Sequence, residues 1–301
     1  MDILFSRRHF EDEILKNPNS SFHSPAHKFC VFSQQEKFVP VFAVLSLLLT
    51  CHETVHAENT DPSSEFEAWS GNNDAQGEII NGVSPANPAK WNSIYLSKKD
   101  TQWCTAFAVG PRTVMTAAHC IPKDKTIVLK RPGQDDVTAT CKTPKSYPSD
   151  ITSDYAMCAS QIDISLGPFE TLNTQKKRLK YSTTIILTGY GCRQLENQKQ
   201  KEFSIGKANF VNMADGNYGV VSGTATVCFG DSGGPAFIAS EEDISNRILI
   251  GINSRWMSTE YGSYSLLSLL PTNVDYFFQE LSDAGWKICG ITPNVKNCRH
   301  E

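Results

Sequence analysis

An all-β fold, barrel or sandwich, is predicted from Ile79 onward by three observations: short β-branched and aromatic runs, turn residues punctuating them, and a single stretch with helical spacing. The runs are Ser93–Leu96, Cys104–Val109, Val114–Ala117, Thr126–Leu129, Ile185–Thr188, Ala208–Val211, Ala236–Ala239 and Ile248–Ile252. Gly, Pro, Asn and Asp cluster between them, where they set the backbone angles that a turn needs. The helical stretch is Asn273–Leu281, which places Val274, Phe277, Phe278 and Leu281 on one face.

The 301 residues are 40% hydrophobic and 20% charged, with a formal net charge of −4, so no basic surface points to nucleic acid. Ten cysteines imply pairing in an oxidising compartment. Residues 38–57 read as a signal peptide: an apolar run, FVPVFAVLSLLL, follows Lys28 and Lys37 and ends near Val55-His56-Ala57, where cleavage follows Ala57. The run is too short to span a bilayer, so no stable membrane anchor is expected and the product is secreted or periplasmic. Residues 1–37 form an extra N-terminal segment without apolar period; Val31 is a candidate true start, which would leave Val31–Lys37 as a short n-region before the apolar run. Residues 58–78 form an acidic propeptide with no Lys or Arg and too little apolar content to fold alone. Residues 79–288 are the folded domain, and residues 289–301 form a disulfide-tied tail read as a surface loop.

Of seven histidines, His9, His23, His27, His52 and His56 precede the folded domain, and His300 nearly ends the chain. An imidazole base must therefore be His119, which ends a strand-like run in Thr116-Ala117-Ala118-His119-Cys120. Residues 228–237, CFGDSGGPAF, place a serine among three glycines and an acid. Either the stretch is a tight turn or it aims backbone N–H groups at a developing charge beside Ser232.

TAAHC around His119, SDYAM around Asp154 and GDSGGP around Ser232 resemble, in order, the signature blocks of the chymotrypsin-like (trypsin fold) serine peptidases. Ile79-Ile80-Asn81-Gly82 resembles that family's mature N-terminus, and Asn273–Leu281 its closing helix. The resemblance implies two six-stranded antiparallel β-barrels with a C-terminal α-helix, a length that the 223 residues from Ile79 to Glu301 suit.

The resemblance also assigns roles. Ser232 is the nucleophile, His119 its base and Asp154 the acceptor that orients the base, because a serine hydroxyl is a weak nucleophile unaided. Asp150 is the nearby competitor, and Asp154 is preferred because Tyr155-Ala156-Met157 follows it. The N–H groups of Gly230 and Ser232 form the oxyanion hole. Cleavage between Glu78 and Ile79 would free an ammonium on Ile79 to pair with Asp231, which makes the chain a zymogen needing an activating protease that accepts Glu. The implied disulfides are Cys104–Cys120, Cys141–Cys158, Cys192–Cys228 and Cys289–Cys298, leaving Cys30 and Cys51 outside the mature domain. No paired CxxC supports zinc, and no metal or other cofactor is expected.

Substrate contacts are assigned to Thr226, Ser254, Trp256 and Gly262. Thr226 holds the position six before the serine, where a neutral floor cannot pair with a substrate Arg or Lys. Arg255 and Trp256 stand where the family has an aromatic and then often Gly, so Trp256 either narrows or closes the pocket or is a packing aromatic in its loop. The expected activity is a monomeric serine endopeptidase acting on protein or peptide. The alternatives are a catalytically silent homologue that binds partners, and an esterase using the same triad; the esterase pattern GxSxG is absent around Ser232.

Overall fold

A computed structural model describes residues 79–99, 101–164, 167–172, 179–192, 202–214, 216–239, 244–259, 262–270 and 276–299. The expected signal peptide, the acidic segment, Cys30 and Cys51 lie outside the described residues. Twelve strands form two closed antiparallel barrels. The first holds β1 (Ile94–Lys99), β2 (Gln102–Gly110), β3 (Thr113–Thr116), β4 (Thr126–Lys130), β5 (Val137–Lys142) and β6 (Ala156–Ser160), in the order β1-β2-β3-β6-β5-β4. The second holds β7 (Thr184–Gly189), β8 (Ser204–Met213), β9 (Tyr218–Ser222), β10 (Pro235–Ile238), β11 (Ile248–Thr259) and β12 (Gly262–Leu269), in the order β10-β11-β12-β9-β8-β7. The helix α1 (Tyr276–Asp283) closes the chain's main run; Asn273 and Val274 of the expected helix lie outside the described residues.

All eight expected runs became strands; β5, β6, β9 and β12 were not anticipated. Their sequences explain why. β6 is AMCAS, five residues with no β-branched side chain, and β9 is YGVVS, five residues interrupted by Gly219, so their strand signal is weak. β12 carries Ser265 and Ser268 at core-facing positions, which breaks the apolar pattern. Both serines are buried because each has a partner: Ser265 Oγ accepts from the Val227 N–H at 3.0 Å, and Ser268 Oγ donates to the Thr152 carbonyl at 2.6 Å.

One core cluster fills the first barrel around Ile127, Leu129, Val114 and Phe169, and another fills the second around Ile185, Leu187, Val221 and Leu267. A third runs from Phe107 and Met115 to Ile186 and Phe237 and takes in Phe278 and Leu281 of α1, so apolar burial welds the two barrels. Each such side chain adds about 1.5–3 kcal/mol when fully buried.

All four expected disulfides form: Cys104–Cys120, Cys141–Cys158, Cys192–Cys228 and Cys289–Cys298. The tail is more than a surface loop. Cys289 is fully buried, its N–H bonds the Val109 carbonyl at 2.7 Å, and the Arg299 N–H bonds the Phe169 carbonyl at 2.9 Å. Arg299 also enters a buried charge cluster, in which Glu170 Oε1 accepts from Arg247 at 2.5 Å, from Arg299 at 3.2 Å and from Ser93 Oγ at 2.5 Å. The Arg247 guanidinium lies 4.2 Å from the Trp91 ring centroid, so an aromatic face supplies part of the solvation it lost.

Candidate active site

Strand β3 ends at Thr116, and the chain tightens into a 3-10 turn, Ala118–Cys120, that carries His119. Small residues suit this turn, since Ala117 and Ala118 are buried against the barrel and leave no room for bulk. Asp154 sits just before β6, beside that turn, and is fully buried. His119 Nδ1 lies 2.7 Å from Asp154 Oδ2, and the His119 backbone N–H donates to Oδ1 at 2.9 Å. The imidazole keeps one third of its surface exposed (34%), so its other edge faces the open side.

Asp154, and not Asp150, is the carboxylate that meets His119. Asp150 accepts from the Thr152 N–H at 2.9 Å and from the hydroxyls of Thr152 and Ser153, both at 2.7 Å, which makes it a turn cap. Ser254 Oγ donates to Asp154 Oδ2 at 2.5 Å, and the Tyr218 hydroxyl lies 3.2 Å from Ser254 Oγ. Burial pushes the Asp154 carboxyl up, but the hydrogen bond and charge of His119, with the Ser254 hydroxyl, hold it below its ordinary 3.8. The group is thus a carboxylate at neutral pH. Being depressed, it stabilises the fold above pH 3.8, and that contribution is lost as pH falls through the lower folded value.

The support that Ser254 gives Asp154 was not foreseen from sequence, which had assigned Ser254 to substrate alone. Ser254→Ala is expected to lower kcat on the order of tenfold and leave the fold intact, since a hydrogen bond to a charged group is worth about 1.5–3 kcal/mol. A kcat and melting comparison with the parent checks this.

Ser232 lies in the loop before β10, on the second barrel, and is clasped by the first. Thr105 on β2 makes the clasp: its N–H donates to the Ser232 carbonyl at 2.8 Å and its hydroxyl to the Gly230 carbonyl at 2.8 Å. That hydroxyl also accepts from the Tyr190 N–H at 3.0 Å. Cys120 Sγ is 3.7 Å from the same Ser232 carbonyl, so the serine segment runs beside the histidine turn. Among the described residues no hydrogen bond reaches the Ser232 hydroxyl, and such bonds in unliganded sites commonly tighten only with substrate.

The glycines answer the question raised by their density. Gly230 has φ 105 and Gly233 has φ 85, both in the region that side-chain-bearing residues avoid. A Cβ on Gly233 would lie 2.1 Å from Thr116 Oγ1 and 2.3 Å from the Thr105 carbonyl, and one on Gly234 would lie 2.2 Å from the Thr188 carbonyl. The loop is therefore pressed against the first barrel at Gly233 and against β7 of its own barrel at Gly234. Gly233 N–H bonds the Asn253 carbonyl at 2.8 Å and Gly234 N–H bonds the Asp231 carbonyl at 2.9 Å. Among the described residues no acceptor takes the N–H of Gly230 or Ser232, which leaves both uncommitted beside the serine.

Asp231 is fully buried under this loop. Its Oδ1 accepts from the Gly191 N–H at 2.8 Å and its Oδ2 from the Cys228 N–H at 2.7 Å. Ile79 is also fully buried, with its backbone N–H bonded to Ser204 Oγ at 2.6 Å. Ile80 pairs with Thr226 through two backbone bonds, of 3.0 and 3.2 Å, so the stretch after Glu78 is seated in the second barrel beside the expected pocket floor.

Of the substrate-contact set, Thr226 is buried, and Trp256 is half-buried against the cluster of Ile79, Leu187 and Val227. Its indole Nε1 is buried without a hydrogen-bond partner. Gly262 sits at the exposed start of β12, three rungs beyond the Trp256–Ser265 pair. A cavity of about 490 Å³ lies along the tail, lined by Thr171, Thr292, Val295, Cys298 and Arg299, and holds none of the expected catalytic or substrate-contact residues. Cys104, His119 and Cys120 bring potential metal-binding atoms within 4.8 Å, but both sulfurs are spent in a disulfide and offer no thiolate.

The trypsin family model matches residues 80–268. Among solved structures, human heparin binding protein is similar at 18% identity and TM-score 0.53, over 68% of this chain and 96% of that one. A double mutant of the same human protein is similar at 16% identity and TM-score 0.55, over 68% of this chain and 96% of that one. At these identities the likeness shows the fold. No curated protein matches the chain.

Proposed function

The chain belongs to the trypsin family, and on that premise we propose that it is a serine-type endopeptidase that hydrolyses peptide bonds through an acyl-enzyme intermediate. The observation that carries this reading is the buried Asp154 held on His119, together with a serine loop in which the Gly230 and Ser232 amides are uncommitted among the described residues. Ser232 Oγ attacks the substrate carbonyl carbon while its proton passes to His119 Nε2. Asp154 holds the Nδ1 proton and steadies the imidazolium. The carbonyl oxygen gains negative charge and accepts from the Gly230 and Ser232 amides; a single such donor is worth about 2.7–4 kcal/mol in the transition state. Collapse breaks the C–N bond, and His119 returns its proton to the leaving amine. Water then attacks the acyl-serine by the same steps in reverse order.

The reading extends to a secreted or periplasmic zymogen. Four disulfides and the apolar run at residues 38–49 support export. A cut before Ile79 would place a new ammonium in a region where Ile79 and Asp231 are both fully buried, and the carboxylate would gain a cation. Substrates are proteins or peptides, and the mature enzyme works as a monomer. Trp256 restricts the pocket to small or medium uncharged side chains. Trp256→Gly is expected to shift cleavage toward large aromatic side chains by about tenfold or more in kcat/KM, as read from a peptide-library cleavage profile.

The deciding experiment labels the protein with a fluorophosphonate probe, before and after cleavage at Glu78–Ile79, and then profiles peptides. Labelling at Ser232 that rises on processing supports the reading. A silent binding homologue would not label at all, and an esterase would label yet cleave no peptide.

A further inference from the structure

We propose that the Cys192–Cys228 disulfide is a positioning element of this site, clamping the loop that carries the oxyanion donors; the proposal rests on the hydrolase reading. Cys192 lies three residues beyond the end of β7, and Cys228 lies three before Asp231, their Cα atoms 5.4 Å apart. The Asp231 carboxylate sits between these two segments. One oxygen accepts from the N–H of Cys228 itself, and the other from the N–H of Gly191, the immediate neighbour of Cys192. The covalent bond therefore fixes the spacing of both amides that grip the carboxylate.

The seat has no slack. A Cβ on Gly189 would lie 2.1 Å from an Asp231 carboxylate oxygen, and one on Gly191 would lie 2.4 Å from the same carboxylate, so β7 presents bare backbone to the acid. Further along the loop, the Asn253 carbonyl accepts from the Gly233 N–H at 2.8 Å and its Nδ2 donates to the Asp231 carbonyl at 3.3 Å, which leaves the stretch from Cys228 to Gly230 to the disulfide on this side. Phe229, between the cysteine and Gly230, is 59% exposed and contributes no core packing. Thr105 holds the loop from the opposite side through the Gly230 and Ser232 carbonyls. Disulfide and threonine thus bracket the stretch whose amides point at the reacting oxygen. The clamp works without any charge on Ile79, so it supplies part of the ordering otherwise left to processing.

A dithiol reductant would open the clamp: it gives two electrons and two protons, the S–S bond becomes two thiols, and the reagent closes to its own cyclic disulfide. Cys192 is fully buried and Cys228 nearly so, so opening follows local loosening of the loop.

The test is Cys192→Ala/Cys228→Ala in the processed protein, with kcat, KM, inhibition by a peptide aldehyde and the pH–rate profile as readouts. The aldehyde forms a tetrahedral adduct whose oxygen occupies the oxyanion position. Losing one donor outright costs about 100- to 1,000-fold. Misaiming the pair is expected to lower kcat by roughly 10- to 100-fold, weaken the aldehyde in parallel, leave KM within about twofold, and leave the acid limb of the pH profile in place. Unchanged kcat and aldehyde affinity with only a lower melting point would make the bond a plain brace and overturn the proposal. If the variant does not fold, the native protein is reduced stepwise and its free thiols are mapped by mass spectrometry. Activity must then fall in step with opening of 192–228, and activity that survives opening overturns the proposal. An inactive wild type removes the hydrolase reading and this one together, whereas an active wild type with an equally active variant removes this one alone.

Discussion

Ser232→Ala is expected to lower turnover by about ten-thousandfold or more and to abolish fluorophosphonate labelling, while the melting point moves little; the magnitude is taken over from this family's triads. The half-buried hydroxyl, which makes no hydrogen bond among the described residues, explains the asymmetry: its loss removes little from the resting fold. Asp154→Asn should cost a similar factor for a different reason. The carboxylate accepts from both the backbone and Nδ1 of His119, so an amide in its place would favour the wrong tautomer. Adding the Asp154 change to Ser232→Ala should cost little more, because the residues act as one unit. Single-turnover and steady-state rates on the three variants decide the matter, and additive losses would contradict a shared mechanism.

Glu170→Gln is expected to remove about 3–5 kcal/mol of stability, the largest effect on folding away from the site. The substitution leaves the guanidiniums of Arg247 and Arg299 buried around a neutral amide. Burial pushes the Glu170 carboxyl up, yet Arg247 and then Arg299 overcome this and hold it below its ordinary 4.5. The sign follows: a depressed acid stabilises the fold above pH 4.5 and loses that contribution as pH falls through the folded value. Wild type and variant should therefore differ most near neutrality and converge on acidification. Urea unfolding at several pH values checks both the size and the convergence.

Much of the site was legible because its residues are local in sequence. TAAHC and GDSGGP each carry a catalytic group together with the small residues that seat it, and the clashes a Cβ would meet at Gly233 and Gly234 show why those positions stay bare. The histidine census left only His119 as a base within the domain. Elements held by distant partners were not legible. Thr105 lies 125 residues from Gly230, and nothing around it marks it as the serine loop's anchor. Glu170 meets Arg247 across 77 residues and Arg299 across 129, so the pairing is invisible to any pattern of neighbours. β12 was missed for a related reason: its buried serines are satisfied by Val227 and Thr152 from other parts of the chain.

The Thr105 clasp bears on how this molecule could be taken apart. The proposed nucleophile is encoded in the C-terminal half, but the peg on which its loop hangs is encoded in the N-terminal half, as are the imidazole and its carboxylate. Two separately expressed halves, divided between β6 and β7, would each be inert, and mixing them would restore chemistry only to the extent that they reassociate in register. Chimeras that exchange one barrel for a relative's would likewise need a threonine or serine supplied at the joint.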